Sequence, residues 1–101
     1  MGQVTAEICV LPLGTNETSL SGYVAATQAV LQQYPEVNSQ LTPMATILEG
    51  EWARVLEVIQ KMHQAPLNQG AQRVSTSIRI DERRDKVSSL AQKVTSVMNQ
   101  F

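Results

Sequence analysis

The chain has 101 residues, 43% of them hydrophobic and only 4% aromatic, with a formal net charge of −1. That is the length of one domain, residues 1–101, whose core must come from Val, Ile, Leu and Ala. The near-neutral balance argues against a nucleic-acid partner, the single Cys9 excludes an internal disulfide and fits a reducing compartment, and no run of ~18 apolar residues marks a membrane span.

Residues 4–13 alternate, with Val4, Ala6, Ile8 and Val10 on one side and Thr5, Glu7, Cys9 and Leu11 on the other. This pattern predicts a strand, closed by Pro12 and Gly14. Thr18 or Ser19 is placed to cap a helix. Leu20, Tyr23, Val24, Thr27, Val30, Leu31 and Tyr34 share one side of it, and Pro35 stops it. Residues 37–42 and 44–49 read as a hairpin around Pro43. Proline has no N–H for a central ladder, so the first of these strands belongs at an edge or beside the turn.

Gly50 is expected to open a second helix, with Glu51 at its positive end. Trp52, Val55, Leu56, Ile59 and Met62 form its apolar stripe. Pro66 should kink or end it, and Gly70 marks the exit. Residues 72–80 alternate again, with Val74, Thr76, Ile78 and Ile80 against Ser75, Ser77 and Arg79. A mixed-charge run over residues 81–86 leads to a last helix with Val87, Leu90, Ala91, Val94, Val97, Met98 and Phe101 on one face.

The order β-α-β-β-α-β-α predicts an α+β fold, a ferredoxin-like βαββαβ sandwich with an additional C-terminal helix. Two helices should cover one face of a four-stranded antiparallel sheet. The other face should carry Thr5, Glu7, Cys9, Leu11, Ile47, Glu49, Ser75, Ser77 and Arg79. This mixture is too apolar to be plainly solvated and too polar for a dry core. It suits a surface between subunits that holds polar pairs or a ligand.

The residues then suggest a family. Their markers are Pro12-Leu13-Gly14-Thr15, Thr18-Ser19-Leu20-Ser21, Leu41-Thr42-Pro43-Met44 with Thr46 and Glu49-Gly50, and Val55-Leu56-Glu57-Val58 through Lys61-Met62-His63. Arg73-Val74 and Ile78-Arg79-Ile80-Asp81 with Arg83, Arg84, Asp85 and Lys86 complete the set. With these motifs in order, the chain resembles, almost end to end, the small thiamine-binding proteins related to YkoF. The resemblance implies a ferredoxin-like domain, assembly as a dimer or a dimer of dimers (a homotetramer), and binding of the vitamin thiamine or its hydroxymethylpyrimidine moiety. It implies no catalysis. Two positions depart from the pattern. Pro66 interrupts the second helix, and Ala45 lacks a hydroxyl that related sites could use.

Thiamine requires donors and acceptors in the plane of its aminopyrimidine and a negative group near its thiazolium. Thr42, Pro43, Thr46 and Glu49 of the hairpin and Glu7 of the first strand are the ligand-binding candidates. Parity separates Thr42 and Thr46 from Glu49. The threonines also suit strands through β-branching, and Glu49 also suits a position before a helix. Gly14 and Thr15 before a helix, with Arg79, Arg83 and Arg84, form a second candidate set for an anion. The competing reading is a capped turn and salt bridges to Asp81, Glu82 and Asp85.

His63 and Cys9 are solitary, so no metal ligand set is expected. No nucleophile elbow, P-loop or dinucleotide fingerprint occurs, so no catalytic residue is assigned. The expectation is a cytoplasmic, homo-oligomeric, non-catalytic carrier or sensor with thiamine or hydroxymethylpyrimidine as its bound ligand and no cofactor. An amino-acid-sensing regulatory module and a purely structural assembly protein are the alternatives.

Overall fold

The computed structural model describes residues 2–14, 21–82 and 84. Its elements are β1 (Gln3–Pro12), α1 (Ser21–Leu31), β2 (Asn38–Leu41), β3 (Thr46–Glu51), α2 (Trp52–Asn68) and β4 (Val74–Glu82). The strands form one four-stranded sheet in the order β2-β3-β1-β4, and every neighbouring pair is antiparallel. The expected C-terminal helix lies outside the described residues, as do Thr15, Thr18, Ser19, Arg83 and Lys86.

Register sorts the side chains of the sheet. Ala6 lies opposite Leu48 and Ile80, and Ile8 opposite Thr46 and Ile78. Val4, Ala6, Ile8 and Leu48 are buried beneath α2, which contributes Val55, Val58, Ile59 and Met62 to the same core. Burying each large aliphatic side chain contributes about 1.5–3 kcal/mol. Tyr34 and Val37, from the segment between α1 and β2, complete the cluster.

The hairpin between β2 and β3 forms as the alternation predicts, with Pro43 in the turn and β2 at the sheet edge. Leu41 pairs with Thr46, so the turn occupies residues 42–45. Thr42 holds it. Its N–H donates to the Ala45 carbonyl at 2.8 Å, and its hydroxyl accepts from the Ala45 N–H at 3.0 Å. Hydroxyl bonds of this kind are why threonine and serine recur in turns.

Four local expectations need correction. Gly50 does not open α2. It continues β3 opposite Val4, and the helix begins at Trp52 after Glu51. Leu56 is exposed and Val58 is buried in its place. At 3.6 residues per turn a stripe centred on Met62 passes about 120° from Leu56 but only about 40° from Val58. Pro66 does not end the helix, which runs on to Asn68 with the proline ring buried. Val24 is exposed on the flank of α1, and that helix ends at Leu31. Gln32, Gln33 and Tyr34 then donate to carbonyls three residues back, the tighter winding common at helix ends.

The exit at Gly70 does hold. Gly70 has φ +105°, donates to the Leu67 carbonyl at 3.1 Å, and is followed by Ala71, which donates to the Pro66 carbonyl at 3.0 Å. This is a Schellman cap, and the buried Ala71 and Pro66 supply its apolar contact. The cap turns the chain from α2 into β4, which lies beside β1.

Candidate ligand-binding site

The face of the sheet away from α2 holds the side chains that alternation assigns to it. Register arranges them in rows. Asn38 of β2 lies opposite Glu49 of β3, Glu49 opposite Thr5 of β1, and Thr5 opposite Asp81 of β4. One polar row thus crosses all four strands. The next row is Gln40, Ile47, Glu7 and Arg79. Beyond it Cys9 faces Ser77, and Leu11 faces Ser75.

Glu49 differs from the rest of this face. Cys9, Leu11, Glu7, Ser77 and Arg79 are exposed, whereas Glu49 is only 4% exposed. Its Oε1 accepts a hydrogen bond from Asn38 Nδ2 at 3.1 Å. Its Oε2 is closed off from water and has no hydrogen-bond partner among the described residues. Removing a carboxylate oxygen from water without a donor is costly, on the order of 1–3 kcal/mol or more for a charged group. Such an oxygen is therefore a strong acceptor for any N–H that reaches it.

The other candidates separate from Glu49. Thr46 is buried on the helix side, and its hydroxyl accepts from Gln28 Nε2 of α1 at 3.0 Å. Thr42 is engaged in the turn, beside the exposed Pro43. Glu7 is on the same face as Glu49, one row along, with Arg79 directly opposite. Sequence parity thus placed the two carboxylates on one side, and register makes them diagonal neighbours across β1 and β3.

The second candidate set is not brought together among the described residues. Gly14 is exposed with φ +70°, in the turn that follows β1. Arg79 is on the open face opposite Glu7, while Arg84 forms an ion pair with Glu82 at 3.2 Å. No group of three or more His, Cys, Asp or Glu among the described residues is gathered closely enough to hold a metal ion. His63 Nδ1 lies 2.6 Å from the Thr76 hydroxyl, which ties α2 to β4. None of the described helices is long and apolar enough to cross a membrane.

Asn38 and Gln28 are the residues that sequence reasoning passed over. Asparagine is uncommon in strands, and that was the available signal for Asn38. Its partner becomes evident only once the turn is known to occupy residues 42–45, because that spacing sets Asn38 against Glu49.

Comparison with known proteins bears on this site. The profile of the family described as thiamine-binding protein matches residues 6–98. The chain belongs to that family. It is 45% identical over 95 residues to the UPF0045 protein YqgV of Bacillus subtilis, covering 91% of each chain. A UPF0045 protein of Methanothermobacter thermautotrophicus is 43% identical over 95 residues, covering 93% of this chain and 95% of that one. Among solved structures, the hypothetical protein MJ1052 of Methanocaldococcus jannaschii superposes with a TM-score of 0.87 at 33% identity, covering 97% of this chain and 98% of that one. A Thermotoga maritima protein described as a candidate for thiamine biosynthesis or salvage shares the fold at a TM-score of 0.75 and 19% identity, over 94% of this chain and 98% of that one. The family match takes in Asn38, Glu49 and Asp81 of the polar row and begins one residue after Thr5.

Proposed function

We propose that this chain is a non-catalytic binding protein for thiamine or its hydroxymethylpyrimidine moiety, and that it acts as a carrier or sensor. The observation that carries this reading is Glu49, a buried carboxylate with one oxygen held by Asn38 and the other lacking a donor. An aminopyrimidine supplies N–H groups, and a thiazolium supplies positive charge that Glu7 and Asp81 on the same face would favour. Membership of the thiamine-binding family supports the same ligand class.

In this reading the chain is one domain, a ferredoxin-like βαββαβ sandwich with an additional C-terminal helix, and the strand order β2-β3-β1-β4 supports the sandwich. In this reading the half-apolar open face meets a second copy of the chain, giving a dimer or a dimer of dimers in the cytoplasm. Leu11 and Ile47 supply the apolar part of that face, and the ligand sits in the polar row beside it. Carrying or sensing needs no bond-making group, and no catalytic residue is assigned.

Titration calorimetry with thiamine, hydroxymethylpyrimidine and thiamine phosphates tests the function. Binding of at least one of them, weakened by Glu49→Gln, is the expected result. Heat from none of them at millimolar ligand would remove the proposal, and thermal stabilisation by amino acids instead would favour the sensing-module alternative. Light scattering at micromolar chain tests the assembly, for which a particle of even subunit number is expected.

A further inference from the structure

We infer that the Asn38–Glu49 pair reads the exocyclic amine of the ligand, so that the site takes 4-aminopyrimidines and rejects their 4-oxo counterparts. The inference rests on the thiamine reading above and specifies which edge of the ligand is recognised. Three observations carry it. Glu49 is on the open face of the sheet and yet is buried. Its Oε1 is held by Asn38 Nδ2. Its Oε2 has no donor among the described residues.

Asn38 presents its amide N–H to Oε1, and a carboxylate oxygen accepts, so the group expected to meet Oε2 is a donor. A 4-amino group places an N–H there. A 4-oxo group places lone pairs there and carries its proton on the adjacent ring nitrogen, so donor and acceptor exchange places along that edge. The oxo ligand would leave Oε2 unpaired against another oxygen. Sites built around a buried polar group reject ligands that leave it unpaired far more strongly than apolar pockets reject a missing methylene.

Asn38 is the positioning residue. It is exposed at the start of the edge strand, and its bond to Oε1 fixes the plane of the carboxylate and hence the direction of Oε2.

The test is competitive calorimetry with thiamine and its 4-oxo analogue on the full chain, on Glu49→Gln and on Asn38→Ala. Thermal midpoints and hydrodynamic size are recorded for each variant. The full chain should prefer the amine by roughly 100-fold. Glu49→Gln should bring the preference to within a few-fold, because an amide can present either its N–H or its carbonyl. Asn38→Ala, at an exposed position, should weaken the preference by about tenfold, the size of one charge-assisted bond.

Equal binding of both ligands by the full chain would overturn the inference and leave the thiamine reading standing. Binding of neither would overturn the thiamine reading, and this inference with it. A preference that survives in folded Glu49→Gln, or in Asn38→Ala should the former not fold, would also overturn it. So would a Glu49→Gln variant whose subunit number changes while its preference does not, since a second copy would then be the donor to Oε2.

Discussion

Leu48 and Glu49 are neighbours in β3, both nearly inaccessible to water, and they face opposite sides of the same sheet. Leu48 is enclosed by α2 and by aliphatic side chains of β1, so its burial is itself stabilising. Glu49 sits in a polar row and keeps an oxygen without a donor, so its burial opposes folding. One side of the sheet is packed for stability. The other retains a group whose unmet hydrogen bond makes sense as a binding contact. Polar groups kept at such a cost are a better guide to function than exposed ones, because exposed polar groups cost nothing to retain.

The contrast can be broken most forcefully at Leu48. Leu48→Ala should destabilise the chain by about 2–5 kcal/mol, read from the urea midpoint, because it opens a cavity under α2. Glu49→Gln should do the opposite of its neighbour. Its stability should be unchanged or raised, while thiamine affinity falls by roughly 10- to 100-fold in calorimetry. A loss of stability comparable to that of Leu48→Ala would show that the two faces do not differ in the way described.

Gly70→Ala probes the helix that covers the packed face. A β-carbon at φ +105° meets no neighbouring atoms, so the effect comes from backbone strain alone and should be about 1–2 kcal/mol. Ligand affinity should not change. Thr42→Ala removes the hydroxyl that accepts from the Met44 and Ala45 N–H groups. Its expected cost is about 1 kcal/mol in stability. Affinity should fall with it, because this turn sets the register that brings Asn38 to Glu49.

The smallest effect concerns pH. The Tyr34 hydroxyl donates to Glu57 Oε2 at 2.6 Å, and that bond, followed by desolvation and the Glu57 charge, raises the phenol above its usual value of 10.0. The neutral phenol is the form the fold favours. Its contribution is therefore complete below about pH 10 and is lost as pH rises through the raised value, since the unfolded chain releases that proton first. Tyr34→Phe should remove this alkaline decline in the thermal midpoint without altering the open face.

Alternation alone determined which residues of β1 and β4 lie on each side of the sheet, because a strand has a period of two whatever its partners are. Pro43 and the apolar stripe of α2 likewise announced the hairpin and the helix, apart from the exchange of Leu56 for Val58. Where α2 begins was not local information. Gly50 has the look of a helix entry, but pairing with Val4 keeps it in the strand. The burial of Glu49 and its bond to Asn38 were decided by the tertiary structure alone. Periodicity says which face a side chain occupies, whereas its partner there depends on the length of the turn and on the order in which distant strands come together.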